Sequence, residues 1–308
     1  MTFQPDISII VPCRNMERFL KETLDSALSQ TVTALELIVV NDGSTDGSQK
    51  IMSAAAARDD RVSLIEGPQN GVSGARNAGA ASARADILLF LDGDDLLATD
   101  AIARMLNALR ETPQAIAALG GVHRIDVAGQ PLAGADNRDL APQTQREQIR
   151  ALLRKNIVVN PGNFAIRKDV FEQAGGFDTS LKNGEDWALW CRMATIGPFV
   201  VMSGPPLLAY RQVPGGANSL ARWPFERVPS IEAVAREPAI RDAVGHELRW
   251  LLRARRVDYF WSGVRNDLMY GTWVRALLTG LLGIVAYPDG LARPHLVHRF
   301  ILSLSSRR

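Results

Sequence analysis

The chain has 308 residues, 46% of them hydrophobic and 22% charged, with two cysteines and a formal net charge of +2. That excludes a disordered chain and a disulfide framework, and leaves a globular protein able to bury a sizeable core. The charge is uneven: from Arg236 onward there are 12 arginines, no lysines and 6 acids, so this tail is +6 and the rest −4.

Taken in order, the first hundred residues alternate apolar runs with helical spacing. Ile7–Val11 reads as a buried strand broken at Pro12. It is too short, and lacks the basic lead-in, for a signal peptide. Glu17–Ser29 has helical spacing at Phe19, Leu20, Leu24, Ala27 and Leu28. Leu35–Val40 is a second strand, ending at the loop NDGSTDGS. Gln49–Arg58 follows as helix, Val62–Ile65 as strand, Gly71–Ala85 as a small-residue helix, and Ile87–Leu91 as a strand ending at DGDD. Thr99 is expected to cap a helix over Ala101–Arg110. Such strands separated by helices predict an α/β fold with a mostly parallel sheet covered on both faces, binding ligands at its carboxyl edge.

Beyond this the pattern is mixed. A strand is expected over Ala117–Ile125, a helix over Thr144–Lys155, an irregular strand over Asn160–Ile166, a short helix over Trp187–Ala194 and a last strand over Leu207–Tyr210. Residues 212–230, rich in Pro and Gly, predict a boundary. The division expected is a catalytic domain over 1–220 and a basic amphipathic helical region over 221–308. In the tail, Leu248, Leu251, Leu252 and Tyr259 share a helix face, with Arg249, Arg253 and Arg256 beside it. The longest uncharged apolar stretch, Ala276–Tyr287, falls well short of the roughly 20 residues that span a bilayer. No transmembrane helix is expected, Cys13 and Cys191 read as core residues of a reducing compartment, and the expected location is cytoplasmic.

Asp92, Asp94 and Asp95 leave the fourth strand on one turn. Their repulsion calls for solvent or a cation, and one or two carboxylates completed by phosphate oxygens describe a Mg²⁺ or Mn²⁺ site on a nucleotide substrate. A solvated acidic turn reads equally well from these residues alone.

The stretches ISIIVPCRN, LELIVVNDGSTDGS, GVSGARNAGAASARADILLFLDGDD and GGFDTSLKNGEDWALWCRM, in that order, resemble glycosyltransferase family 2 over about residues 6 to 211. The resemblance implies a GT-A fold, a Rossmann-like sheet flanked by helices, and an inverting transfer from a nucleotide-diphosphate sugar, UDP being the expected nucleotide. Pro12 to Asn15 would line the nucleoside pocket, and Asp42 would hydrogen-bond the base, with an Asx-turn as its competing role. Asp92 would contact the ribose and Asp94 hold the metal on the diphosphate, while Asp95 is expected to cap the next helix. Arg76 resembles an arginine near the donor, or forms a surface salt bridge. Asp186, in EDWALW, is the implied general base and Glu185 a supporting or acceptor-side group. Trp187 and Trp190 either face a sugar or belong to the core. Asn160–Asn163 resembles a loop near the sugar.

One departure is clear. The family's usual His two residues after Tyr-Arg is absent, since Tyr210-Arg211 is followed by Gln212 and Val213. Arg211 is then a compensating cation or a surface residue. The tail's arginines and aromatics fit peripheral contact with an anionic membrane, and hence a glycan or lipid-linked acceptor. Nucleic acid is not expected, for want of a recognised module. No G-x-G-x-x-G follows a strand, which disfavours a dinucleotide enzyme. The competing class is an inert sugar-nucleotide binding module.

Overall fold

The computed structural model describes residues 4–132, 144–213, 228–269 and 273–286. Four apolar runs form the parallel half of a seven-stranded sheet: β1 (Ile7–Cys13), β2 (Leu35–Asn41), β3 (Val62–Glu66) and β4 (Ile87–Phe90), ordered β3-β2-β1-β4. Helices α1 (Leu20–Leu28), α2 (Ser48–Arg58), α3 (Val72–Ser82) and α4 (Ala101–Glu111) intervene. Every residue of β1 and β2 is buried. Alternate residues feed two cores: Ile10, Ile38, Val40 and Phe90 enter one, and Ile9, Val11, Val39 and Leu89 the other. That alternation is what a sheet covered on both faces produces.

The sheet continues through β8 (Phe164–Arg167), β6 (Ala117–Leu119) and β9 (Phe199–Val201), with β8 antiparallel to both its neighbours. A three-stranded sheet joins β5 (Leu96–Leu97), β10 (Leu208–Arg211) and β7 (Val122–Ile125). The single strand expected over Ala117–Ile125 is therefore two, parted at Gly120-Gly121. A Cβ at Gly120 would overlap the Leu207 side chain, so only glycine lets the chain change sheets there. Pro12 does not break β1, which runs on to Cys13. Ile10 accepts from Leu91 on the β4 side, so Pro12, two residues on, turns its missing N–H the same way, past the end of β4. Asp100, not Thr99, is the N-cap of α4.

The remaining helices are α5 (Gln145–Arg154), α6 (Lys168–Gln173), α7 (Glu185–Ile196), α8 (Val228–Arg236), α9 (Pro238–Val244), α10 (Glu247–Met269) and α11 (Trp273–Ala286). Thr144 and Glu147 form a capping box that starts α5. Most of the expected boundary at 212–230 lies outside the described residues. Helices α8 and α9 and the start of α10 do not form a separate core: Ile231, Val234, Ile240, Leu248, Leu251 and Leu252 share one cluster with Phe164, Trp187 and Trp190. Among the described residues, no helix is long and apolar enough to cross a membrane.

A buried carboxylate ties the start of the sheet together. Glu36 accepts from Ser8 Oγ at 2.6 Å, from Arg84 N at 2.6 Å and from Arg84 Nε at 2.7 Å. Burial pushes its pKa up, but these donors outweigh burial and hold it below the ordinary value. Its stabilising effect is complete above the unfolded glutamate value and is lost as pH falls through the lowered one. Glu36→Ala should cost about 2–4 kcal/mol, mostly from stranding the Ser8 hydroxyl and the Arg84 backbone N–H, while the exposed Arg84 guanidinium, which water can solvate, adds little. Urea denaturation at neutral pH and near pH 3 checks this: the difference between variant and parent should shrink in acid.

Candidate active site

The carboxyl ends of β1, β2 and β4 gather the residues singled out from sequence. The acidic turn leaves β4 and closes through Asp95 N–H to Asp92 O, at 3.1 Å. A Cβ on Gly93 would stand 3.2 Å from Met16 Cγ and 3.6 Å from Pro12 O, so the turn lies against the loop after β1. Asn15 in that loop takes a left-handed backbone, φ 57°, and its Oδ1 accepts from Thr45 N at 2.8 Å. This joins the loops after β1 and β2. Asp42 is 3% exposed and accepts from Gln69 N at 2.7 Å and Gly71 N at 3.0 Å. It anchors the entry to α3, while the Asx-turn considered for it belongs to Asn41, which accepts from Ser44 N. A carboxylate has further lone pairs, so this anchoring leaves acceptor capacity.

Asp95 is not a helix cap. It is fully buried, accepting from Asn160 Nδ2 at 2.7 Å and from Arg211 N at 2.8 Å. Arg211 is no surface residue either, at 3% exposure. Its Nε donates to Asp94 O at 2.8 Å and its Nη2 to Glu22 Oε2 at 2.8 Å, and its guanidinium lies 4.9 Å from the Phe19 ring centre. The residue at the point of departure thus clamps the acidic turn through its backbone. The aspartates crowd one another. Burial, then Asp92, push Asp94 up to about 6, and burial with both neighbours raises Asp95 as well. Burial and the same carboxylates raise the Tyr210 phenol.

Arg76 joins this turn to the start of α7. It is 4% exposed, so the surface salt bridge is ruled out. Nη2 donates to Asp92 Oδ1 at 2.6 Å, and Nη1 lies 3.5 Å from Glu185 Oε1. Its Nε and Nη1 are buried without a hydrogen-bond acceptor. The small residues of α3 deliver it: a Cβ on Gly79 would overlap Ile10, so the helix sits close on the sheet. Next to it, Asn77 exchanges two hydrogen bonds with the Phe177 backbone, at 2.8 and 2.9 Å. The Phe177 ring then underlies Arg76, 5.1 Å from ring centre to guanidinium carbon. Two stretches about a hundred residues apart, Arg76 with Asp92 and Phe177 with Glu185, therefore meet around one guanidinium.

Glu185 and Asp186 open α7 after Gly184, whose φ of 74° and close approach to Ser230 both require glycine. Burial, then Asp186, raise the Glu185 pKa, with Arg76 opposing. Asp186 accepts from Asn156 Nδ2 at 3.3 Å and from Trp187 N at 2.6 Å. Trp187 and Trp190 do not face the cleft; they are 1% and 0% exposed. Trp187 donates to Leu152 O, and Arg255 of α10 stacks on its ring at 3.8 Å. Glu22, Asn156 and Arg255 carried no sequence signal, since each acts from an element remote in the chain. Cys13 and Cys191 are free and buried, and burial pushes the Cys191 thiol up to about 12.

Among the described residues no three or more His, Cys, Asp or Glu side chains converge on a point that could hold a metal. Among the described residues no other donates a hydrogen bond to the Asp94 carboxylate, however, and Asp92 stands two residues away. That donor set fits a hard divalent cation whose remaining ligands are phosphate oxygens and water, and does not fit a closed structural site.

The chain matches the model of glycosyl transferase family 2 over residues 8–175. It is 32% identical to the uncharacterised glycosyltransferase EpsJ of Bacillus subtilis over 228 residues, 72% of this chain and 64% of that protein. It is 26% identical to the chondroitin synthase of Pasteurella multocida over 215 residues, 70% of this chain but 21% of that one. In fold it is similar to S. aureus TarS in complex with UDP-GlcNAc, with a TM-score of 0.66 and 18% identity, covering 85% of this chain and 81% of TarS residues 1–349. With the motif order, the parallel sheet and the acidic turn at its carboxyl edge all in agreement, the chain belongs to glycosyltransferase family 2 and has its GT-A fold.

Proposed function

We propose that the protein is an inverting glycosyltransferase. It moves a sugar from a nucleotide-diphosphate donor, with UDP the expected nucleotide, to a hydroxyl of a glycan or lipid-linked acceptor. Cell-surface polysaccharide or glycolipid synthesis is the setting suggested by a relative named chondroitin synthase and by TarS bound to UDP-GlcNAc. The observation that carries the reading is Arg76: a buried guanidinium linking Asp92 of the donor turn to Glu185, beside Asp186, so that the donor turn and the carboxylate pair stand at one place.

In this reading the acceptor oxygen attacks the anomeric carbon as its proton passes to a carboxylate of Asp186. The bond from that carbon to the diphosphate breaks on the opposite face, inverting the centre. Asp186 suits the base because, among the described residues, only Asn156 hydrogen-bonds its outer oxygen, whereas Glu185 is paired with Arg76. Pro12, Asn15 and Asp42 border the nucleoside, Asp92 the ribose, and Asp94 would hold Mg²⁺ or Mn²⁺ on the diphosphate. The cation, when bound, offsets charge developing on the departing diphosphate. Arg76 orients the carboxylates on its two sides and leaves Glu185 a supporting role. The protein meets its acceptor by peripheral contact of the C-terminal helices with an anionic membrane.

Calorimetric titration with UDP-, GDP- and dTDP-sugars, with and without Mn²⁺, tests the donor. One of them should bind tighter with Mn²⁺, and Asp94→Asn should remove most of that Mn²⁺ enhancement while keeping metal-free nucleotide binding. Metal-independent binding by the parent, unchanged in the variant, would remove Asp94 from its role.

A further inference from the structure

In sequence, the amphipathic face legible in the tail is that of Leu248, Leu251, Leu252 and Tyr259 on α10. That surface is already used: Leu248, Leu251 and Leu252 are buried in the core shared with α5, α8 and α9. The next helix is built differently. α11 turns Ala276 and Thr279, 2% and 0% exposed, inward, and packs on α10, with Gly280 over Val264. Its other face carries Val274, Leu277, Leu278, Leu281 and Leu282, each at least 53% exposed. The i, i+3, i+4, i+7, i+8 spacing sets all five on one stripe. With 14 residues the helix is about 21 Å long, too short to span a bilayer, so whatever covers the stripe lies alongside it.

Charge selects among the candidates for that cover. The chain from Arg236 onward is +6 and contains no lysine, and Arg249 and Arg253 are exposed on α10. A second copy would bring the same positive charge against its own. An anionic lipid surface supplies both negative headgroups and an apolar layer beneath them.

We propose that α11 lies in the plane of an anionic membrane surface, with the Val274–Leu282 stripe in the acyl-chain boundary. This rests on the membrane-contact reading above and places that contact on α11. The two native cysteines are buried, so Leu278→Cys gives the full chain a single exposed thiol for an environment-sensitive fluorophore.

With vesicles of equal phosphatidylcholine and phosphatidylglycerol, the label should shift to the blue and be quenched by lipids carrying acyl-chain spin labels. The double variant Leu277→Glu/Leu281→Glu should lower the vesicle-bound fraction by about tenfold or more while retaining nucleotide-sugar binding. If the protein floats with vesicles but the label stays in water, the α11 assignment is overturned while membrane contact stands. If the unmodified protein does not float, the membrane reading itself is lost. A concentration-dependent dimer abolished by the two glutamates would give the stripe to a second copy and also overturn the proposal. Loss of nucleotide-sugar binding by every version would instead strike the donor reading.

Discussion

Asp186→Asn is expected to lower transfer by about 10²–10⁴-fold while leaving donor affinity within a few-fold of the parent. The substitution keeps the shape of the side chain and, with its one oxygen toward the helix, the contact with the Trp187 N–H; it sets an NH₂ against the Asn156 donor and removes the capacity to take a proton. Asp186 also stands in the first turn of α7, where a negative charge is favoured by the helix dipole. Losing that charge should cost about 0.5–1 kcal/mol, too little to unfold the protein or to account for the loss of rate. Single-turnover assays with the matched donor, run beside calorimetry of donor binding, separate the two effects. Transfer persisting near the parent rate would remove Asp186 as base, and Glu185→Gln would then become the informative variant. A protein that binds donor but transfers nothing in parent and variant alike would favour the inert binding module.

Arg76→Met should destabilise the fold by about 3 kcal/mol and lower the melting temperature by roughly 5–10 °C. The reason is not the lost attraction alone. Without the guanidinium, Asp92 and Glu185 face a common space with no cation between them, and their side chains are only 28% and 15% exposed. Arg76→Lys should recover only part of this, because an ammonium is a compact charge and cannot direct separate N–H groups at both carboxylates. The same variant should weaken nucleotide-sugar binding, and added Mn²⁺ should partly offset the loss by supplying positive charge near Asp92. A melting temperature within a degree of the parent would mean that the two carboxylates are solvated well enough to need no partner.

The order of strands in the first hundred residues was legible in the chain because their signal is local. Ile7–Val11, Leu35–Val40 and Ile87–Leu91 are continuous apolar runs, and only a doubly covered sheet consumes such runs. The acidic turn was legible for the same reason: three aspartates within four residues stay together in any fold. The Gly71–Ala85 helix could be located, but the purpose of its small residues could not. Gly79 is small because Ile10 presses on it, and Ile10 lies 69 residues earlier.

Burial separates what the sequence determined from what it could not. The sequence alone determined the sheet, the family motifs and the presence of carboxylates suited to a donor and a base, since each rests on residues adjacent in the chain. Tertiary structure decided which polar groups are sunk in the core. Arg76, Arg211 and Asp95 became buried hubs instead of surface charges or a cap, Trp187 and Trp190 went to the core, and the apolar stripe left uncovered fell on α11 rather than α10. A charged side chain carries no mark in its neighbours along the chain of whether it will be desolvated. That depends on partners such as Glu22, Phe177 and Glu185, which only folding brings within a few ångströms.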